Sequence, residues 1–182
     1  PYAKDMALAI RYAVDHGADI IQMSKTNTFY PQPWSARGDE ALRYAEAKNV
    51  LIVMGVMDLA YNLYEVPFYP QRTLGDGHEL SNFLTVAASD AAGNPLMRTN
   101  FSPVKLDLFA PGVDIKSSYL SDTYATGSGS YLAASLVSGV AALIKSYYPK
   151  LSAAQLRALL MDNVTSRAGS EVEKSFLIVR NG

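Results

Sequence analysis

The feature that most constrains this chain is an alternation of helix and short apolar strand that occurs twice near its start. From Asp5 to Val14 the apolar residues Met6, Leu8, Ala9, Ile10 and Ala13 recur at helical spacing, with Asp5 able to cap the helix and His16-Gly17 able to stop it. The next segment, DIIQMS from Asp19 to Ser24, is short, β-branched and bounded by turn formers, which suits a buried strand. The unit then repeats: DEALRYAEAK from Asp39 to Lys48 predicts a second helix, and VLIVM from Val50 to Met54 a second buried strand. Strands apolar on every residue need cover on both faces, so the pattern predicts a parallel sheet between two helical layers.

Further elements extend the same layers. FLTVAASD, from Phe83 to Asp90, supplies a third strand that turns at AAGNP, and LDLFAPGVDIKSSY reads as two short strands broken at Pro111-Gly112. Tyr131 to Tyr148 is apolar nearly all round and rich in small residues, which predicts a central helix packed on several sides. Pro149 stops it, Ser152 caps a last helix from Ala153 to Met161, and KSFLIVRN suits an edge strand or docked tail. Two irregular stretches remain, Asn27 to Gly38 and Leu59 to Gly77. The second carries Tyr61, Tyr64, Phe68 and Tyr69, as a binding surface or as rings that cap the sheet. With no internal repeat or linker, residues 1–182 read as a single domain segment.

Composition excludes several function classes. The 16 basic and 17 acidic residues leave a net charge of −1 with no basic stripe, so no nucleic-acid partner is expected. No apolar run reaches the ~18 residues of a membrane span, so the chain is not expected to cross one. The absence of cysteine removes disulfides and thiolate chemistry. Because Pro1 leads directly into a helical pattern, the start is expected to be processed, tagged or truncated, and a missing leader says nothing about compartment.

Five segments carry a resemblance to a known family. AIRYAVDHGADIIQMS, VLIVMGVMDL with PFYP, FLTVAASDAAGNPLMRTNFSP, LDLFAPGVDIKSSY and SGVAALIKSYYPKLSAAQLRALL resemble, in order, consecutive segments of the subtilisin-like serine peptidases, over about Asp5 to Val164. The resemblance implies a three-layer, doubly wound, mostly parallel α/β fold. It also implies a Ser-His-Asp triad whose serine lies in a Gly-Thr-Ser-Met-Ala-x-Pro-His-Val pattern at the start of the central helix.

Counting forward from APGV and back from SGVAAL gives one ungapped register, which puts Gly129 on the family's glycine, Ser130 on its threonine and Tyr131 on its nucleophilic serine. A phenol oxygen lies ångströms farther from the backbone than a serine hydroxyl, and the ring would fill space that the scissile peptide needs. Ser135 and Leu136 stand where Pro-His usually follows. The family's oxyanion asparagine corresponds to Asp58 in Gly55-Val56-Met57-Asp58-Leu59, or to Met57 after a one-residue shift. Loss of such a donor costs about 10²–10³ in rate, and an aspartate adds repulsion where negative charge must form. In the strand edge that pairs with substrate, Met23 and Ser24 match, but Lys25-Thr26 replace the residue-plus-glycine that permits close approach. Met23, Ser24, Lys25, Gly55, Val56, Gly129 and Ser130 are therefore read as remnants of a substrate groove, with no intact catalytic residue expected.

The family's aspartate and histidine motifs, D-[ST]-G and H-G-T-H, do not occur here. The histidines present are His16, at a helix end, and His78, in the polar turn GDGHEL, and both suit structural roles. Ser128 and Ser130 precede the helix as turn residues rather than nucleophiles. Asp58, Glu65, Asp76 and Glu79 match no ligand spacing, and Gly75-Asp76-Gly77 lacks the context of a phosphate loop, so no metal or cofactor is expected. Asn163-Val164-Thr165 fits a glycosylation sequon that matters only in a eukaryotic secretory pathway.

Two functions stay open at this point. One is a non-catalytic subtilisin-like domain that binds a protein or peptide or serves as a structural subunit. The other is a serine endopeptidase with an unusual nucleophile such as Ser130, its Asp and His coming from an upstream segment or partner chain. The resemblance places either outside the cell or on a bacterial surface. It also implies that a companion N-terminal segment covers apolar surface and a sheet edge left open here.

Overall fold

The computed structural model describes residues 3–28, 32–63, 65–66, 68–102 and 105–164. Helix α1 (Ala3–Asp15) leads into β1 (Ile20–Met23), followed by the two-residue β2 (Asn27–Thr28), α2 (Gln32–Ala47) and β3 (Leu51–Gly55). Then come β4 (Phe68–Tyr69), β5 (Phe83–Ser89), β6 (Leu108–Pro111), β7 (Ile115–Tyr119), β8 (Thr123–Gly127), α3 (Ser130–Tyr147) and α4 (Ala153–Asp162).

The central sheet has the order β1-β3-β5-β6, and every pairing in it is parallel. Strands β3 and β5 are buried at every residue, as their largely apolar sequences suit, with Thr85 and Ser89 the buried polar residues of β5. Alternate residues divide between the two faces. Ile52, Met54, Phe83, Ala87 and Phe109 pack with Ala7, Ile10, Ala41, Leu42 and Ala45 of α1 and α2. Leu51, Val53, Leu84, Val86, Leu108 and Ala110 pack with Ala133, Ala134, Val137 and Ala141 of α3 and with Leu156 and Leu160 of α4. The expected three-layer, mostly parallel α/β architecture is therefore present.

Several sequence expectations need correction. Helix α2 starts at Gln32 rather than Asp39, and Asn27–Thr28 of that irregular stretch pair as β2 with β4. The chain after Tyr119 turns back as β8 to form an antiparallel hairpin with β7, a strand the sequence reading lacked. Ser121 and Asp122 both have φ near +55° at this tight turn, an asparagine-glycine conformation written here with less usual residues. The larger correction concerns α3, which is not packed on several sides. Ala133, Ala134, Val137 and Ala141 face the sheet, while Leu136, Leu143 and Tyr147 form an outer stripe at helical spacing and are 44%, 60% and 75% exposed. The reason lies in register: only the Ala133, Ala134, Val137 and Ala141 stripe is flat enough to lie against strands. KSFLIVRN lies outside the described residues.

Strand β1 is the edge of the sheet, pairing with β3 on one side, and Ile20 and Ile21 are only half-buried. The open edge and apolar surface expected from the resemblance are both present among the described residues.

Candidate active site

The carboxyl ends of β1, β3 and β5 point toward one end of the molecule, where parallel α/β sheets place their clefts. Gly55 closes β3 there, and Val56 continues the ladder by donating its N–H to Val86 O at 2.9 Å. The amino end of α3 arrives opposite. The approach is close enough to require glycine at 55, where a Cβ would lie 2.7 Å from Ser130 O and 2.8 Å from Tyr131 Cα.

The turn into α3 is held from several directions. Gly129 donates its N–H to Gly112 O at 2.8 Å, Ser128 Oγ accepts from the Asp114 N–H at 2.9 Å, and Arg98 Nη2 donates to Ser128 O at 2.9 Å. Ser130 is fully buried, and its Oγ accepts from the Ala88 N–H at 3.0 Å, lies 2.9 Å from Thr99 Oγ1 and donates to Asp58 Oδ1 at 2.6 Å. Its N–H donates to Asp58 Oδ2 at 2.9 Å. That hydroxyl is an interior fastening, with its proton engaged by a carboxylate.

Tyr131 sits in the first turn of α3 and is 45% exposed. Its ring runs back over the turn, as helical side chains lean toward the amino end. A Cβ at Gly129 would lie 2.4 Å from Tyr131 Cε1 and 2.9 Å from Asp58 Oδ2, so ring and carboxylate both border the bare backbone of Gly129. The structure thus joins Gly55, Asp58, Gly129, Ser130 and Tyr131 in one small site. Val56 is buried beside it, whereas Met23 is buried at the end of β1 with Ser24 and Lys25 exposed beyond.

Asn100 belongs to this site and was not singled out in the sequence. It is fully buried, its N–H donates to Met57 O at 2.9 Å, and its Oδ1 accepts the N–H groups of Leu59 and Tyr61 at 3.0 and 3.1 Å. It thereby fixes the loop that carries Asp58. Its Nδ2 is buried with no hydrogen-bond partner among the described residues. The only sequence signal was an asparagine in a polar run, which also describes a solvated turn.

The other candidates lie elsewhere. His16 Nδ1 bonds Tyr12 O at 2.8 Å with its ring stacked on Tyr12 at 3.9 Å, and His78 Nε2 bonds Glu46 Oε2 at 2.7 Å. Burial pushes the Glu46 carboxyl up, but the hydrogen bonds from His78 and Ser81 outweigh it and hold the group below its ordinary value. The His78 N–H, with Arg43 nearby, holds Asp76 low in the same way, against an opposing effect of burial. Asp76 pairs with Arg43, Glu79 with Arg72, and Glu65 accepts from Asn62; among the described residues no acidic or histidine cluster suits a metal ion. Asn163 Nδ2 donates to Leu159 O at the end of α4, and Thr165 of the sequon lies outside the described residues. Of the aromatic loop, Phe68 and Tyr69 are core residues, Tyr61 is 39% exposed, and Tyr64 lies outside the described residues.

Among the described residues no helix is long and apolar enough to cross a membrane. In sequence, the chain is 34% identical over 163 residues to subtilisin DY of Bacillus licheniformis, covering 88% of this chain and 55% of that protein. Subtilisin Savinase of Lederbergia lenta is 30% identical over 175 residues, covering 95% and 59%. In structure, the prenylagaramide maturation protease PagA superposes with a TM-score of 0.78 at 26% identity, over 91% of this chain and 58% of that one. Sphericase superposes with a TM-score of 0.70 at 28% identity, over 90% and 56%. The chain thus spans less than two thirds of each of these relatives, and the part it spans fits the carboxyl-terminal portion of a subtilisin catalytic domain. The profile of the subtilase family matches residues 2–177 without a break, and the chain belongs to that family.

Proposed function

We propose that this part of a subtilisin-like domain is non-catalytic and acts by binding a protein or peptide or as a structural subunit, outside the cell or on a bacterial surface. The observation that carries the reading is the state of the turn into α3. In the register of the family's serine stands Tyr131. In the register of its oxyanion donor stands Asp58, whose two oxygens accept the O–H and N–H of Ser130 at 2.6 and 2.9 Å. An acceptor-only group in that place cannot donate to a developing oxyanion, and its charge opposes one. Ser130, the alternative nucleophile, is fully buried and already hydrogen-bonded on every side.

The open edge of β1 and the outer stripe of α3 support a companion segment or subunit, because an uncovered parallel edge is a template for another strand. A fluorophosphonate probe applied to the intact protein, with any companion present, should label no serine, and casein should not be cleaved. Covalent labelling of any serine, or cleavage abolished by Ser130→Ala, would overturn the reading in favour of a peptidase whose Asp and His lie outside this chain.

A further inference from the structure

We infer that Asp58 is a built-in occupant of the anion-attracting end of α3, an intramolecular carboxylate that closes the cleft to the oxygen of any incoming peptide. Helix α3 has 18 residues, so its amino end carries appreciable positive potential and unpaired N–H groups. Neither is met locally: Gly129 at the cap position has no side chain to offer, and the first turn holds no acidic residue. The missing acceptor comes from the loop after β3, which is 72 residues away in sequence.

The contact has features of a lock rather than a chance approach. Asp58 binds the same residue through both oxygens, and Ser130 Oγ is in turn fastened to Ala88 N–H and Thr99 Oγ1. Gly129 leaves room for the carboxylate, since a Cβ there would sit 2.9 Å from Oδ2. Asn100 fixes the carboxylate's own loop from below through Leu59 and Tyr61. Among the described residues no Lys, Arg or His pairs with Asp58, so the helix end and the Ser130 donors are what balance its charge. A peptide carbonyl or terminal carboxylate entering here would have to displace a tethered group held by two charge-assisted hydrogen bonds.

The inference deepens the non-catalytic reading of the same site, but its test measures stability and anion response rather than hydrolysis, so either can fail alone. In the intact protein, Asp58→Gly should lower Tm by roughly 5–10 °C, as loss of two charge-assisted hydrogen bonds in a chain of this size implies. Sodium formate, a free copy of the lost carboxylate, should restore at least half of that loss in Asp58→Gly. It should not raise the Tm of the wild type, and sodium chloride at equal ionic strength should restore nothing. Asp58→Asn, which keeps an acceptor but not the charge, is the second variant and is expected to fold. Its Ser130 amide should exchange hydrogen at least tenfold faster than in wild type. An unchanged Tm in Asp58→Gly, recovery that chloride matches, a formate response in the wild type, or unchanged Ser130 exchange in Asp58→Asn would each overturn the inference.

Discussion

The most decisive stability test lies at the opposite end of the sheet, at Asp107. This residue precedes β6, and its carboxylate is 6% exposed. Oδ1 takes Arg72 Nη1 at 3.1 Å and the Arg157 guanidinium, while Oδ2 takes the N–H and Oγ1–H of Thr85 at 2.8 and 2.9 Å. Arg157 also donates Nε–H to Phe83 O at 2.7 Å, so one carboxylate joins α4, the loop before β5, β5 itself and the start of β6. Breaking a buried pair by removing one partner costs about 3–5 kcal/mol, because the other charge is left without compensation. Here the two arginine side chains keep 27% and 19% exposure, so water recovers part of the loss and about 3 kcal/mol is the better figure for Asp107→Asn. With an unfolding entropy of about 2.1 cal/mol/K per residue over 182 residues, that corresponds to a fall in Tm of roughly 8 °C. The comparison is Glu79→Gln, which removes a 60%-exposed partner 3.4 Å from the same Arg72 and should cost under ~1 kcal/mol. Calorimetry of the two variants side by side checks the reasoning. A shift below ~3 °C for Asp107→Asn, or equal shifts for both, would refute the claim that burial decides the value of this carboxylate.

Two further perturbations probe the site and the acid limit. Gly55→Ala should destabilise the protein by about 1–3 kcal/mol in urea unfolding, since its Cβ meets backbone atoms of Ser130 and Tyr131 that cannot turn aside. Gly129→Ala presses on the ring of Tyr131 and on Asp58 Oδ2, so Tyr131→Ala should suppress the ring's part of its cost and none of the cost at Gly55; equal suppression at both would contradict the packing described. For pH, Glu46 has a folded value below its ordinary 4.5, so its contribution is present above that value and is lost as pH falls through the lower, folded one. Melting curves between about pH 6 and 3 should therefore lose less stability in Glu46→Gln than in wild type, and parallel curves would show that the His78 and Ser81 bonds contribute nothing.

What the sequence made legible follows from how local each signal is. The strands at Leu51–Gly55 and Phe83–Ser89 were readable because a strand buried on both faces is largely apolar, and Ile20–Met23 because a short β-branched run lies between turn formers; both signals are visible without knowing a strand's neighbours. The first turn of α2 and strand β8 were not, since Gln32-Pro33-Trp34 and Thr123–Gly127 owe their form to pairing and turn geometry rather than to periodicity. Helix α3 shows a subtler limit. An all-round apolar sequence says that a helix wants cover on every side, but only the structure shows which stripe of α3 is covered and which is exposed among the described residues.

The site repeats that division on a smaller scale. The flanking APGV and SGVAAL segments fixed the count that singled out Ser130 and Tyr131, while the run Gly55–Leu59 pointed to Asp58 or, after a one-residue shift, Met57. Neither signal could show that Asp58 and Ser130 bond each other, or that Asn100 fixes the loop between them, since these contacts join residues 41 and 72 positions apart. The sequence reading treated Asp58 as a loss, a donor exchanged for a group unable to donate. Its geometry adds a structural role, because Asp58 supplies α3 with the negative charge its glycine cap lacks. Asp58→Asn would therefore leave an acceptor at the amino end of α3 but remove the charge that strengthens its two bonds to Ser130.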